Sequence, residues 1–270
     1  MTETQPATSH TAANPDRYDS ERRFHDRRFE SSPRRADSFY AVNTACADHY
    51  RELLGMSRPN SRALEYGCGT GSSAFYLASK GVHVTGIDIS SVAIGQAQQQ
   101  ATLEGLEVAT FAQMNAERLG FAHDRFELVC GSGILHHLDL RQAMEEVHRV
   151  LTPDGRAVFV EPMGHNPIIN LYRKLTPHER TEDEHPFLIC DFELLEDFFS
   201  AVDVQHFVLI ALLGIPFANR PGFGAIIRLL NRADGWLFEH VPFLRRYSWT
   251  VLLQLADPVA SADASRGLHC

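Results

Sequence analysis

The chain lacks a cysteine pattern that could staple it. Its five cysteines (Cys46, Cys68, Cys130, Cys190 and Cys270) are odd in number and include no CxxC pair. That argues against a disulfide framework and a cysteine zinc site, and suits reduced thiols in a cytoplasmic protein. Long apolar runs are also missing. The most apolar stretch, Phe207–Phe217 (FVLIALLGIPF), is too short to span a bilayer and reads as a buried strand. No segment near the N-terminus has the composition of a secretory signal. Positive charge is scarce: 25 Lys and Arg stand against 34 Asp and Glu, for a net charge of −9. Nucleic acid is therefore disfavoured as a main partner, because phosphate binding needs a basic surface.

What is present suits one sizeable core. The 270 residues are 44% hydrophobic and 22% charged, ordinary values for a globular chain. Residues 1–37 read as an N-terminal arm, partly disordered, in which 16–36 form either a short helix folded over a ligand or a solvated segment. Residues 38–258 read as the main domain and 259–270 as a tail. From Arg62 onward, strand and helix patterns alternate. Strands are expected at Arg62–Tyr66, Val82–Ile87, Glu107–Phe111, Phe126–Cys130 and Arg156–Glu161, the last entered by a Pro153-Asp154-Gly155 turn. Further strands are expected at Val204–Leu212 and Trp249–Leu255. Such alternation predicts an α/β fold, a parallel sheet with helices on both faces. The rhythm breaks at 162–189 and 214–246, insertions of a size that often shapes a substrate site.

The chemistry concentrates in Leu64–Gly71, LEYGCGTG, and in Asp88 within GIDIS. A strand end, a glycine turn and an acid ending the next strand hold an adenosine-containing ligand at the carboxyl edge of a parallel sheet. The spacing is GxGxG (Gly67, Gly69, Gly71), not the GxGxxG of a pyrophosphate site. Glu65, just before the turn, sits poorly beside a pyrophosphate and suits a ligand with ammonium and sulfonium charges. Asp88 can accept from both ribose hydroxyls. A turn with only a structural task is the plain alternative.

At these residues the chain resembles the class I S-adenosylmethionine-dependent methyltransferases. The likeness extends through Met114–Glu117 (MNAE), Phe126–Leu138 (FELVCGSGILHHL) and Glu145–Phe159 (EEVHRVLTPDGRAVF). It implies a Rossmann-like seven-stranded, mostly parallel sheet whose last strand is antiparallel, and S-adenosyl-L-methionine as cofactor. By the same resemblance, Glu65, Tyr66, Gly67, Cys68, Gly69, Gly71, Asp88, Ile89, Asn115, Ala116, Glu117 and Gly131 are the cofactor-binding candidates. Asn115 stands where the family usually has Asp, so an amide oxygen would meet the adenine amine.

His136 and His137 follow the fourth strand and are candidate general bases. One of them can equally cap the loop while the other faces solvent. Glu161 and His165 border the same edge as candidates for orienting the acceptor, with a structural turn at Asn166-Pro167 as the alternative. No metal site is expected; Glu182–His185 (EDEH) reads as a solvated loop. Tyr18, Phe24 and Tyr40 lie in the segment that often covers the cofactor in this family, although core packing explains any one of them.

The expected activity is methyl transfer to a small-molecule acceptor, hydrophobic if the apolar 214–246 region lines its pocket. O-methylation of the secondary-metabolite type is favoured. The 214–246 region could instead form a homodimer face. The alternatives are a membrane-surface quinone or lipid methyltransferase, a nicotinamide oxidoreductase and a non-catalytic S-adenosylmethionine-binding protein.

Overall fold

The computed structural model describes residues 15–30, 40–177, 180–181 and 184–259. The expectations for the first residues, the tail and two residues of the EDEH run (182–183) lie outside these.

Seven strands form one sheet: β1 (Arg62–Tyr66), β2 (His83–Asp88), β3 (Ala109–Gln113), β4 (Phe126–Ser132), β5 (Leu151–Pro162), β6 (Phe199–Phe207) and β7 (Thr250–Pro258). Their order is β3-β2-β1-β4-β5-β7-β6. The first five run parallel, and β7 is antiparallel to both neighbours. Chain order reverses between β1 and β4, the switch point that opens a crevice at the strand ends of such sheets.

Eight α-helices accompany the sheet among the described residues: α1 (Pro15–Glu30), α2 (Thr44–Gly55), α3 (Ser72–Ser79), α4 (Ser91–Glu104), α5 (Leu140–Val150), α6 (Pro167–Leu175), α7 (Asp191–Glu196) and α8 (Phe223–His240). Local chemistry sets their ends. Ser90 accepts the Ala93 N–H at the start of α4, and Gly105 ends it in the left-handed region. Asp139 caps α5 through the Gln142 N–H.

Successive strand residues point to opposite faces, and both faces are covered. Leu64, Val129 and Phe159 pack with Met144, Val147 and Leu195. Their neighbours Ala63, Leu128 and Val158 pack with Leu54, Leu77 and Ala97 on the other side. A fully buried side chain of this size contributes about 1.5–3 kcal/mol. A third, smaller core gathers Val42, Ala211, Leu212, Ile227 and Trp249.

Four departures from the sequence expectations stand out. The third strand lies two residues later than expected, at Ala109–Gln113. The Pro153 turn becomes an irregularity inside β5, where the pairing jumps from Leu151 to Arg156 opposite Phe126 and Leu128. The Phe207–Phe217 run is not a strand. β6 ends at Phe207, and Ile210–Phe217 is a 3₁₀-helix. Its start is held by Asp234 of α8, which accepts the N–H groups of Leu209, Ile210 and Ala211. Among the described cysteines, Cys46, Cys68 and Cys130 are free and buried, while Cys190 is disulfide-bonded, contrary to the expectation of thiols throughout. No helix among the described residues is long and apolar enough to cross a membrane.

Candidate active site

A cavity of about 1280 Å³ opens at the carboxyl ends of β1, β2, β4 and β5. Single drug-sized pockets span about 300–1,000 Å³, so this volume accommodates a cofactor together with an acceptor.

The glycine turn forms one wall. Gly67, Gly69 and Gly71 all have positive φ (61°, 50° and 93°), a conformation side chains resist. Asp88, at the end of β2, is nearly buried and accepts the N–H groups of Gly69 and Ser90, each at 2.8 Å. Burial raises its pKa, opposed by those hydrogen bonds. Each carboxylate oxygen accepts one of these bonds and keeps a further acceptor position for a vicinal diol. Glu65 is buried too. It accepts the Ser73 and Ala74 N–H groups at 3.2 and 2.8 Å and so caps α3, whose own N-cap is Gly71. Burial pushes its pKa up to about 7, a state that a nearby cation would reverse.

Other candidates separate by position. Cys68, Ile89, Asn115, Ala116 and Glu117 line the cavity, whereas Tyr66, Gly71 and Gly131 do not. Tyr66 is fully buried with its hydroxyl donating to the Ala116 carbonyl. A Cβ on Gly131 would come within 2.9 Å of the Tyr66 carbonyl, so that glycine serves close packing. The Asn115 side-chain oxygen accepts the Glu117 N–H at 2.8 Å, shaping the loop after β3. Burial drives the Cys68 thiol far above its ordinary pKa, which leaves it un-ionised.

At the reaction edge, Glu161 has no exposed surface. It accepts the N–H groups of Ile134 and Leu135 at 3.0 and 2.8 Å, and lies 2.7 Å from Nδ1 of His136. This carboxylate therefore organises the loop after β4 and the His136 ring. With Nδ1–H donated to Glu161, Nε2 keeps its lone pair, the arrangement a general base needs. His137 is buried, its ring centroid 4.2 Å from that of His136 with the two planes tilted by 39°; burial, with His136 and nearby cations, lowers its pKa to about 2. His165 does not line the cavity and accepts the Ile189 N–H at 3.4 Å. Asn166 caps α6 through the Ile168 and Ile169 N–H groups, the structural alternative for that turn.

Of the two insertions, 162–189 contributes Tyr172, Arg173, Arg180 and Glu184 to the cavity, and 214–246 contributes none. The latter packs instead over the third core. Helix α1 closes the opposite side with Tyr18, Phe24 and Phe29. It is anchored by Asp26, which accepts the Ser90 hydroxyl at 2.6 Å, and by an Arg17–Glu117 ion pair at 3.1 Å. Arg17 also donates to the His137 carbonyl. Glu21 and His25 of α1 were not among the sequence candidates. Their i,i+4 spacing was the only available signal, because their partner His137 is more than 100 residues away. Two groups of ligand-type side chains meet here, Glu21/His25/His137 and His136/His137/Glu184.

The residues fit S-adenosylmethionine. Asp88 is an acid suited to a ribose diol, Glu65 an acid beside the turn suited to a cation, and Ile89 with Ala116 an apolar surface for an adenine.

Comparison with known proteins agrees. A family model described as a methyltransferase domain matches residues 64–159. A demethylmenaquinone methyltransferase of Chlorobaculum parvum is 36% identical over 136 residues, covering 49% of this chain and 53% of the relative. A malonyl-[acyl-carrier protein] O-methyltransferase of Pseudescherichia vulneris is 34% identical over 124 residues, covering 46% and 47%. The chain thus spans about half the length of these curated relatives. In fold it is similar to the geranyl diphosphate C-methyltransferase of Streptomyces coelicolor, with a TM-score of 0.63 and 13% identity over 92% of this chain and 100% of that one. Residues 64–159 thus carry a methyltransferase domain, and the strand order with an acid-flanked glycine turn at the switch point is the arrangement that the resemblance to the class I S-adenosylmethionine-dependent methyltransferases implies.

Proposed function

We propose that the chain methylates a small-molecule acceptor at oxygen, with His136 as the base. The observation that carries this reading is the 2.7 Å contact between His136 Nδ1 and the fully buried Glu161. S-adenosylmethionine supplies an electrophilic methyl carbon when bound. His136 takes the acceptor's hydroxyl proton on Nε2. Glu161 holds the ring and stabilises the imidazolium that results, acting as a positioning residue and not as a contact for the acceptor. The α1 helix excludes water, which favours orientation of the acceptor over hydrolysis. The secondary-metabolite class rests on family resemblance alone.

A second reading, an acceptor drawn from a membrane surface, is favoured by α6. Its Ile168, Leu171 and Leu175 are exposed at helical spacing, next to Arg173 and Lys174 and beside the cavity. One experiment addresses both. The full-length chain is assayed for methyl transfer with a panel of phenols and hydroxy acids in solution and with quinols in anionic vesicles. His136→Gln should lower turnover about 10²–10⁴-fold and leave S-adenosylhomocysteine affinity within about 3-fold. Unchanged turnover removes the base role; turnover only with vesicles favours the membrane reading. Cofactor binding with no transfer to any acceptor would favour a non-catalytic protein.

A further inference from the structure

We infer that Glu21, His25 and His137 form a binding site for a divalent transition-metal ion of the zinc type, joining α1 to the reaction edge. The inference is independent of the base assigned to His136.

Glu21 is 6% exposed, and neither of its carboxylate oxygens has a hydrogen-bond partner. Nδ1 of His137, also buried, has none either. A buried carboxylate without a donor carries a large desolvation cost, and such a group calls for an explanation, a bound ion among them. The surroundings supply one. His25 Nε2 lies 3.4 Å from Glu21 Oε2, and His137 Nδ1 lies 3.6 Å from the same oxygen. Both separations exceed the usual 2.7–3.2 Å of a hydrogen bond. They approach the edge of a tetrahedral site instead, since ligands about 2.0–2.1 Å from a shared ion stand about 3.3–3.4 Å apart.

The donor set is two imidazole nitrogens and one carboxylate, a combination that suits zinc and its neighbours and does not suit magnesium or calcium. Three protein ligands leave a fourth position open, as in zinc sites that bind a water or substrate oxygen. Glu21, His25 and His137 all line the cavity, so that position is within reach of an acceptor oxygen. Glu184 adds a second negative charge, its Oε1 3.8 Å from His137 Nε2. Docking of α1 does not depend on the ion, because the Asp26–Ser90 and Arg17–Glu117 contacts hold it from both ends. Ligand substitutions should therefore leave the fold intact.

The test uses the full-length chain, stripped with a chelator and titrated with Co²⁺ and then Zn²⁺. One equivalent of Co²⁺ should bind with the strong visible absorption of a four-coordinate ion, and Zn²⁺ should abolish that absorption by displacement. Glu21→Gln and His25→Ala should each weaken binding at least about 100-fold, since even an outer-shell partner costs about 10–100-fold. His240→Ala, at an exposed position on α8, should change nothing. Far-ultraviolet circular dichroism and cooperative thermal unfolding, measured on the same samples, report whether each variant is folded. If Glu21→Gln does not fold, His25→Ala decides, together with a Zn²⁺-dependent rise in melting temperature of the wild type. No stoichiometric uptake, uptake equal in wild type and the ligand variants, or a weak six-coordinate spectrum would each overturn the site.

Discussion

Three carboxylates around the cavity do three different things because their donors differ. Glu161 takes three backbone N–H groups and a histidine ring. Glu65 takes two N–H groups at a helix start and is still pushed up to about 7. Glu21 takes none. The glycines differ just as sharply. Gly67 has φ of 61°, and a Cβ there would fall 2.7 Å from Ile134 Cδ1. Ile134 is also the residue whose N–H Glu161 accepts. Gly67→Ala should therefore cost about 1–2 kcal/mol in backbone strain, with a further penalty from the displaced Ile134. Gly95, inside α4, has nothing within 4 Å of its added Cβ. Gly95→Ala should stabilise by about 0.5–1 kcal/mol. Urea unfolding of the two variants checks both signs; equal midpoints would show that the turn is not strained.

At the scale of elements, the Ile210–Phe217 helix depends on one distant side chain. Asp234 is 3% exposed and accepts three consecutive N–H groups. Asp234→Ala would orphan those donors at about 1–3 kcal/mol each, less what water recovers. A net loss of about 3 kcal/mol is expected in denaturant unfolding, with S-adenosylhomocysteine affinity preserved because this region does not line the cavity. An equal loss of affinity would mean that the third core supports the cofactor wall. The same contact explains why this segment misleads in sequence. FVLIALLGIPF carries the apolar signature of a buried strand, and its cap comes from 23–25 residues downstream. β1, β2 and α4 were legible because their determinants are local: the glycine turn, Asp88, the Ser90 cap. The cofactor wall was legible for that reason. The α1 side of the site was not, since Glu21 and His25 acquire meaning only when a helix remote in sequence packs against His137.

For the molecule as a whole, pH response is a sum of opposed groups. His206 is packed between Phe192 and Phe238, and burial with the nearby Arg245 lowers its pKa from 6.5 to about 4. In the folded chain it stays neutral while the unfolded chain takes up a proton. Its contribution to stability is present above about pH 6.5 and is lost as pH falls toward 4. Glu65 acts in the opposite direction. Raised from 4.5 to about 7, it holds a proton that the unfolded chain has released, so stability falls as pH rises between those values. Each group is worth at most about 1.4 kcal/mol per pH unit in its window, and between pH 5 and 6.5 the two nearly cancel. Wild-type stability should therefore change little there on their account. His206→Gln should gain on wild type as pH is lowered from 6.5 to 5, by up to about 2 kcal/mol. Glu65→Gln should gain on wild type as pH is raised over the same interval. Urea unfolding of all three proteins at pH 5.0, 5.75 and 6.5 gives the slopes. Parallel slopes would mean that neither burial shifts a proton on folding, and a reversed sign in either variant would place its pKa shift on the wrong side.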